Sequence, residues 1–162
     1  MPLPGQTQEE KRTSVVLYQN FSGSLSTSLQ DGQWRLAGVI ASAGARETLR
    51  LGSLNVMAMA QAASGADFVA VELGLLIASS EERTGIGTSH LSLDVVRRIF
   101  HIQRWMIQDT APWPWVSRMA KMITLSQDAE LNAVIRVKGV RGSGGTVTWG
   151  ADIRWSERET DI

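Results

Sequence analysis

Apolar and polar positions alternate most cleanly near the end of the chain. From Thr146 to Trp155, Val147, Trp149, Ala151, Ile153 and Trp155 fall on one side, and Thr146, Thr148, Gly150, Asp152 and Arg154 on the other. A period of two is the mark of a strand with one buried face. Trp34, Leu36, Gly38 and Ile40 repeat it against Gln33, Arg35, Ala37 and Val39. Ser14 to Tyr18 is β-branched and aromatic, and Ser22 to Leu29 reads as a half-exposed strand. Glu47 to Ala60 predicts a strand kinked at Gly52-Ser53. Phe68 to Ala78 is almost continuously apolar with one charge, Glu72, the pattern of a strand buried on both faces. Leu131 to Lys138 predicts another strand.

The period changes once. Ser92 suits an N-cap, Asp94 falls in the first turn, and Val95, Ile99, Ile102 and Met106 recur at spacings of four, three and four. Together they predict one inserted helix over about 92–109, ended by Pro112. Trp113-Pro114-Trp115 then reads as an extended turn that sends one indole outward, and Met119 to Leu125 fits either a strand or a helical turn. Asp31-Gly32 and the glycine-rich stretch Gly139 to Gly145 predict hairpin turns. About eight strands at this spacing predict a mainly β chain, an antiparallel β-sandwich or jelly roll with one helix. Residues 1–12 read as an extended arm, with 13–162 forming one sandwich domain.

The composition is globular: 43% hydrophobic, 20% charged and no cysteine, so neither disulfides nor thiolate metal sites enter. No apolar run approaches the length of a membrane-spanning helix. Met1 to Gln6 has neither the charged nor the apolar region of a secretory signal. Sixteen basic residues balance sixteen acidic ones. That balance argues against nucleic acid as the main partner, because phosphate neutralisation supplies most of that affinity. Only Lys11, Lys121 and Lys138 are lysines among the basic residues, and arginine is the better fit to protein contacts.

Candidate chemistry is thin. Gly85-Ile86-Gly87-Thr88-Ser89-His90 begins like a dinucleotide loop, but His90 replaces the third glycine and Glu81-Glu82 precede it. Ser89, His90 and Asp94 lack a nucleophile elbow and fit loop and capping roles. No catalytic, cofactor or metal site is expected, and the chain is read as a non-enzyme. The most basic and aromatic stretch holds Arg97, Arg98, Arg104, Trp105, Trp113, Trp115, Arg118 and Lys121. It could be a solvated face beside core indoles, a platform for single-stranded nucleic acid, or an interface in which tryptophan and arginine form hot spots. On the interface reading the contact residues are Arg104, Trp105, Trp113, Trp115 and Arg118.

Residues 46–79 resemble the single jelly-roll capsid proteins of small icosahedral viruses. The resemblance rests on Glu47-Thr48-Leu49-Arg50-Leu51-Gly52-Ser53-Leu54-Asn55-Val56, on the turn Ala63-Ser64-Gly65-Ala66-Asp67 and on the run Phe68-Val69-Ala70-Val71-Glu72-Leu73. It implies a self-assembling shell subunit in a virion, whose partners are copies of itself and other virion proteins. The self-cancelling charges of residues 1–12 depart from the family's basic packaging arm. The rival expectation is a small, soluble cytoplasmic sandwich that binds carbohydrate or another small ligand on its indoles.

Overall fold

The computed structural model describes residues 15–26, 33–45, 47–62, 68–86, 92–107, 113–119, 122–141 and 146–161. Among the described residues nine strands run in the order β1 (Val15–Ser26), β2 (Arg35–Ser42), β3 (Glu47–Ala62), β4 (Phe68–Ser79), β5 (Phe100–Ile107), β6 (Trp113–Met119), β7 (Ile123–Leu125), β8 (Ala129–Arg141) and β9 (Thr146–Asp161). Two five-residue helices, α1 (Ser80–Thr84) and α2 (Leu93–Arg97), separate β4 from β5. The expected arm at residues 1–12 lies outside the described residues.

The strands form two antiparallel sheets. The first has the order β1-β9-β3-β6, with the short β7 also paired to β3; the second has the order β2-β8-β4-β5. Leaving β7 aside, first pairs with last, second with next-to-last, and so inward: β1 with β9, β2 with β8, β3 with β6 and β4 with β5. A two-stranded ribbon wound around a barrel produces this order, which is the jelly-roll arrangement.

The inward faces make one core. Val147, Trp149, Ala151, Ile153 and Trp155 of β9 meet Val71, Leu73 and Leu75 of β4 and Leu131, Ala133, Ile135 and Val137 of β8. In β3 the inward set changes parity, from Leu49 and Leu51 to Leu54, Val56, Ala58 and Ala60. A bulge between Gly52 and Asn55, with Ser53 at φ 50°, absorbs the shift. This is the kink expected at Gly52-Ser53.

A second, smaller core lies on the outer side of the second sheet. Trp34, Leu76, Ala78 and Val134 are covered there by Ile86 and Ile99 from the helical segment. That cover buries β4 on both faces, as its apolar run predicts. Gly74 is required for the close approach, because a Cβ on it would stand 2.6 Å from Ile99 Cγ2. Ser79 caps α1 in a reciprocal box with Glu82, and Ser92 caps α2 through the Val95 amide. Arg83 Nε bonds Glu130 Oε2 at 2.7 Å, tying α1 to β8.

Three expectations change. The helix predicted over 92–109 ends at Arg97, and residues 100–107 form a strand paired with β4. Its apparent helical spacing comes from a bulge: His101 takes φ 51°, and the pairing steps from Leu73–Gln103 to Leu75–Phe100. Ile99, Ile102, Arg104 and Met106 therefore share the outer face, while Ile107 is fully buried in the main core. Neither predicted hairpin joins paired strands either. The segment containing Asp31-Gly32 links β1 to β2, and the one after Arg141 links β8 to β9; in both cases the flanking strands belong to different sheets. Residues 31, 32 and 142–145 themselves lie outside the described residues. Residues 123–125 resolve as strand, and Pro114 lies within β6, an edge strand that tolerates a missing amide.

Candidate self-association surface

The five expected contact residues occupy two strands. Arg104 and Trp105 are on β5, and Trp113, Trp115 and Arg118 are on β6. Each strand is the edge of its sheet, and β5 and β6 lie on the same open side of the sandwich. Edge strands present unpaired amides and carbonyls, so they are where sheet proteins meet other chains. By register, Trp105 stands opposite Val71, Trp113 opposite Ala60, Trp115 opposite Ala58 and Arg118 opposite Asn55. Residues 113–115, expected as an extended turn, are part of a strand. The side chains of these four residues are outside what the structure describes.

Arg104 is held in place. Its Nε donates to Glu72 Oε1 at 2.6 Å, and Arg136 Nε donates to Glu72 Oε2 at 2.6 Å. The three residues stand in one row across β5, β4 and β8. Glu72 is only 4% exposed, and a carboxylate buried that deeply needs cations. Burial pushes its pKa up, but the hydrogen bonds and charges of Arg136 and Arg104 outweigh it and hold the carboxyl below its ordinary range. Arg136 also lies over the Trp34 ring, 4.6 Å from its centroid. Arg104 keeps 64% of its side chain exposed. It is flanked along the outer face of β5 by Ile102 and Met106, 44% and 43% exposed. An arginine fixed between two exposed apolar side chains has the composition of an interface centre.

The first sheet has no helical cover on its outer face among the described residues. Tyr18 Oη and Asn20 Nδ2 both donate to Asp152 Oδ1, at 3.1 and 2.7 Å. Arg154 lies over the Tyr18 ring at 5.5 Å. Beside them Met57 and Met59 are 56% and 49% exposed. Asn20, Met57, Met59, Gly150 and Asp152 line a shallow depression of about 220 Å³.

The sequence suggested Arg104 as a contact residue but not the setting in which the structure holds it. Glu72, Arg136, Trp34, Ile102 and Met106 were not expected at a surface site, nor were Met57 and Met59. One signal was present: a lone carboxylate in an otherwise apolar strand requires a partner. Of the three residues read as loop and capping residues rather than a triad, Ser89 and His90 lie outside the described residues, and Asp94 sits in the first turn of α2. Among the described residues no group of three or more His, Asp or Glu could hold a metal, and no helix is long and apolar enough to cross a membrane. Trp34, Trp149 and Trp155 are buried, so these three indoles offer no stacking platform.

No protein-family model and no curated protein matches the chain. Solved structures do. A chain in the structure of infectious bursal disease virus Gx strain is similar over 96% of this chain and 38% of its own, with 8% identity and a TM-score of 0.50. The described fold thus spans about two fifths of that longer chain. The likeness to viral capsid proteins is one of fold, and it is loose. The decameric BFDV capsid protein is 9% identical over 90% of this chain and 100% of its own, at a TM-score of 0.38. A protein of Bacillus endospore appendages, described as disulfide-linked pili, is 8% identical over 96% of this chain and 98% of its own, at 0.36.

Proposed function

We propose that this chain is a structural subunit that assembles with copies of itself into a shell of the viral capsid type, built from a single jelly roll. The observation that carries the reading is this chain's wound-ribbon strand order, and it is supported by a likeness of fold, over 96% of this chain, to a chain from a virus structure. The surface is consistent with it. Two edge strands lie together on one side, and β5 presents an arginine already oriented by a buried carboxylate, which lowers the ordering cost of association. On this reading the edge strands β5 and β6, which carry Arg104, Trp105, Trp113, Trp115 and Arg118, contribute to contacts between subunits. The chain's location would be the virion, and nucleic acid would be at most a minor partner, given zero net charge.

Negative-stain microscopy and light scattering of purified protein across salt and concentration test the proposal. Uniform closed particles are the expected outcome. A protein that stays monomeric at high concentration under all these conditions overturns it, and tryptophan fluorescence that responds to sugars would favour the ligand-binding rival instead.

A further inference from the structure

Among the described residues, two exposed apolar surfaces differ in charge and lie on opposite sides of the sandwich. On the outer face of the second sheet, β5 presents Ile102, Arg104 and Met106 in a line, an apolar–cation–apolar stripe. On the outer face of the first, Met57 and Met59 flank a depression whose charged member is Asp152. Register sets Asn20, Asp152 and Met57 in one row and Ser22, Gly150 and Met59 in the next. Rows two residues apart along a strand are about 7 Å apart. The stripe on β5 has the same step between Arg104 and either neighbour, so a cation level with Asp152 brings an apolar side chain level with Gly150, where the missing side chain leaves a notch beside Met59.

We infer that the Ile102–Arg104–Met106 stripe of one copy docks into the Met57–Asp152–Met59 depression of the next. The inference rests on the self-assembly reading and names one of its contacts. Both halves are organised before they meet: Glu72 holds Arg104, while Tyr18 and Asn20 hold Asp152. Because donor and acceptor surfaces are different and sit on opposite faces, the contact is head-to-tail rather than two-fold. It propagates until a rotation closes it into a ring or shell.

Sedimentation velocity over a concentration series tests this with Met106→Lys on the donor side, Met59→Lys on the acceptor side, and an equal mixture of the two. Both methionines are exposed, so the fold tolerates the changes. Each variant alone is expected to need at least about tenfold more protein to associate than the unaltered chain. In the mixture, the intact stripe of Met59→Lys meets the intact depression of Met106→Lys, and pairing between unlike chains returns. If the unaltered chain assembles and the variants assemble equally well, or if the mixture pairs no better than either variant alone, this contact is wrong while the self-assembly reading stands. An unaltered chain that never associates overturns both.

Discussion

The two sheets share one core but treat their outer faces in opposite ways. On the first sheet, β9 sends Thr148, Gly150, Asp152, Arg154 and Ser156 outward, and polar side chains bond one another across the surface. On the second, Leu76, Ala78 and Val134 point outward and are roofed by the segment that carries α1 and α2. The roof is narrow. Beyond Ile99 it gives way to the exposed Ile102 and Met106, and the buried Glu72 stands at the transition. A strand under a roof needs apolar residues at every position, whereas a bare strand needs them at alternate ones, and β4 and β9 show the two patterns.

The largest test of this contrast compares outward positions on the two sheets. Leu76→Ala should cost about 3 kcal/mol in urea unfolding, because it opens a cavity under the roof. Met57→Ala, on the bare face, should stay within about 0.5 kcal/mol. Equal losses would mean the two faces are not differently packed.

Glu72→Gln at the edge of the roof should cost about 2 kcal/mol at neutral pH, less than a fully buried pair because both arginines reach solvent. The sign with pH follows from the lowered carboxyl pKa. Its contribution is fully present above the unfolded-state value of about 4.5 and is lost as pH falls from there through the folded value. The stability gap between the unaltered chain and Glu72→Gln should therefore narrow in acid; a gap independent of pH would remove the ion pair from the account. Smallest, Ser79→Ala should cost about 1 kcal/mol by removing the α1 cap. Hydrogen exchange should show the loosening in residues 80–86 ahead of β9.

The inner core was legible because alternation in β9 and continuity in β4 follow directly from burial. What lay over the second sheet was not. Val95, Ile99, Ile102 and Met106 have a helical spacing, yet it is assembled from one turn of α2, a bulge at His101 and two strand steps. A bulge inserts one residue, and that is enough to turn a period of two into an apparent three or four. Turn signals had a similar limit. Asp-Gly and clustered glycines mark where the chain reverses, but not whether the next strand pairs with the last one or crosses to the facing sheet. At the candidate surface, Arg104 was visible as a residue type suited to contacts. Its carboxylate partner, 32 positions earlier, became apparent only through strand register.

The wound ribbon also sets an order of events during synthesis. β9 lies between β1 and β3, so the first sheet has a gap at its centre until the last strand of the series is made. Pairs such as Val15 with Glu157 span most of the chain, and closing loops of that length is slow. Every nascent chain therefore passes through a stage in which β1 and β3 each have an open flank, and a neighbouring ribosome's product could fill it. Production at low temperature or low density, where such encounters are rarer, should raise the yield of correctly closed molecules.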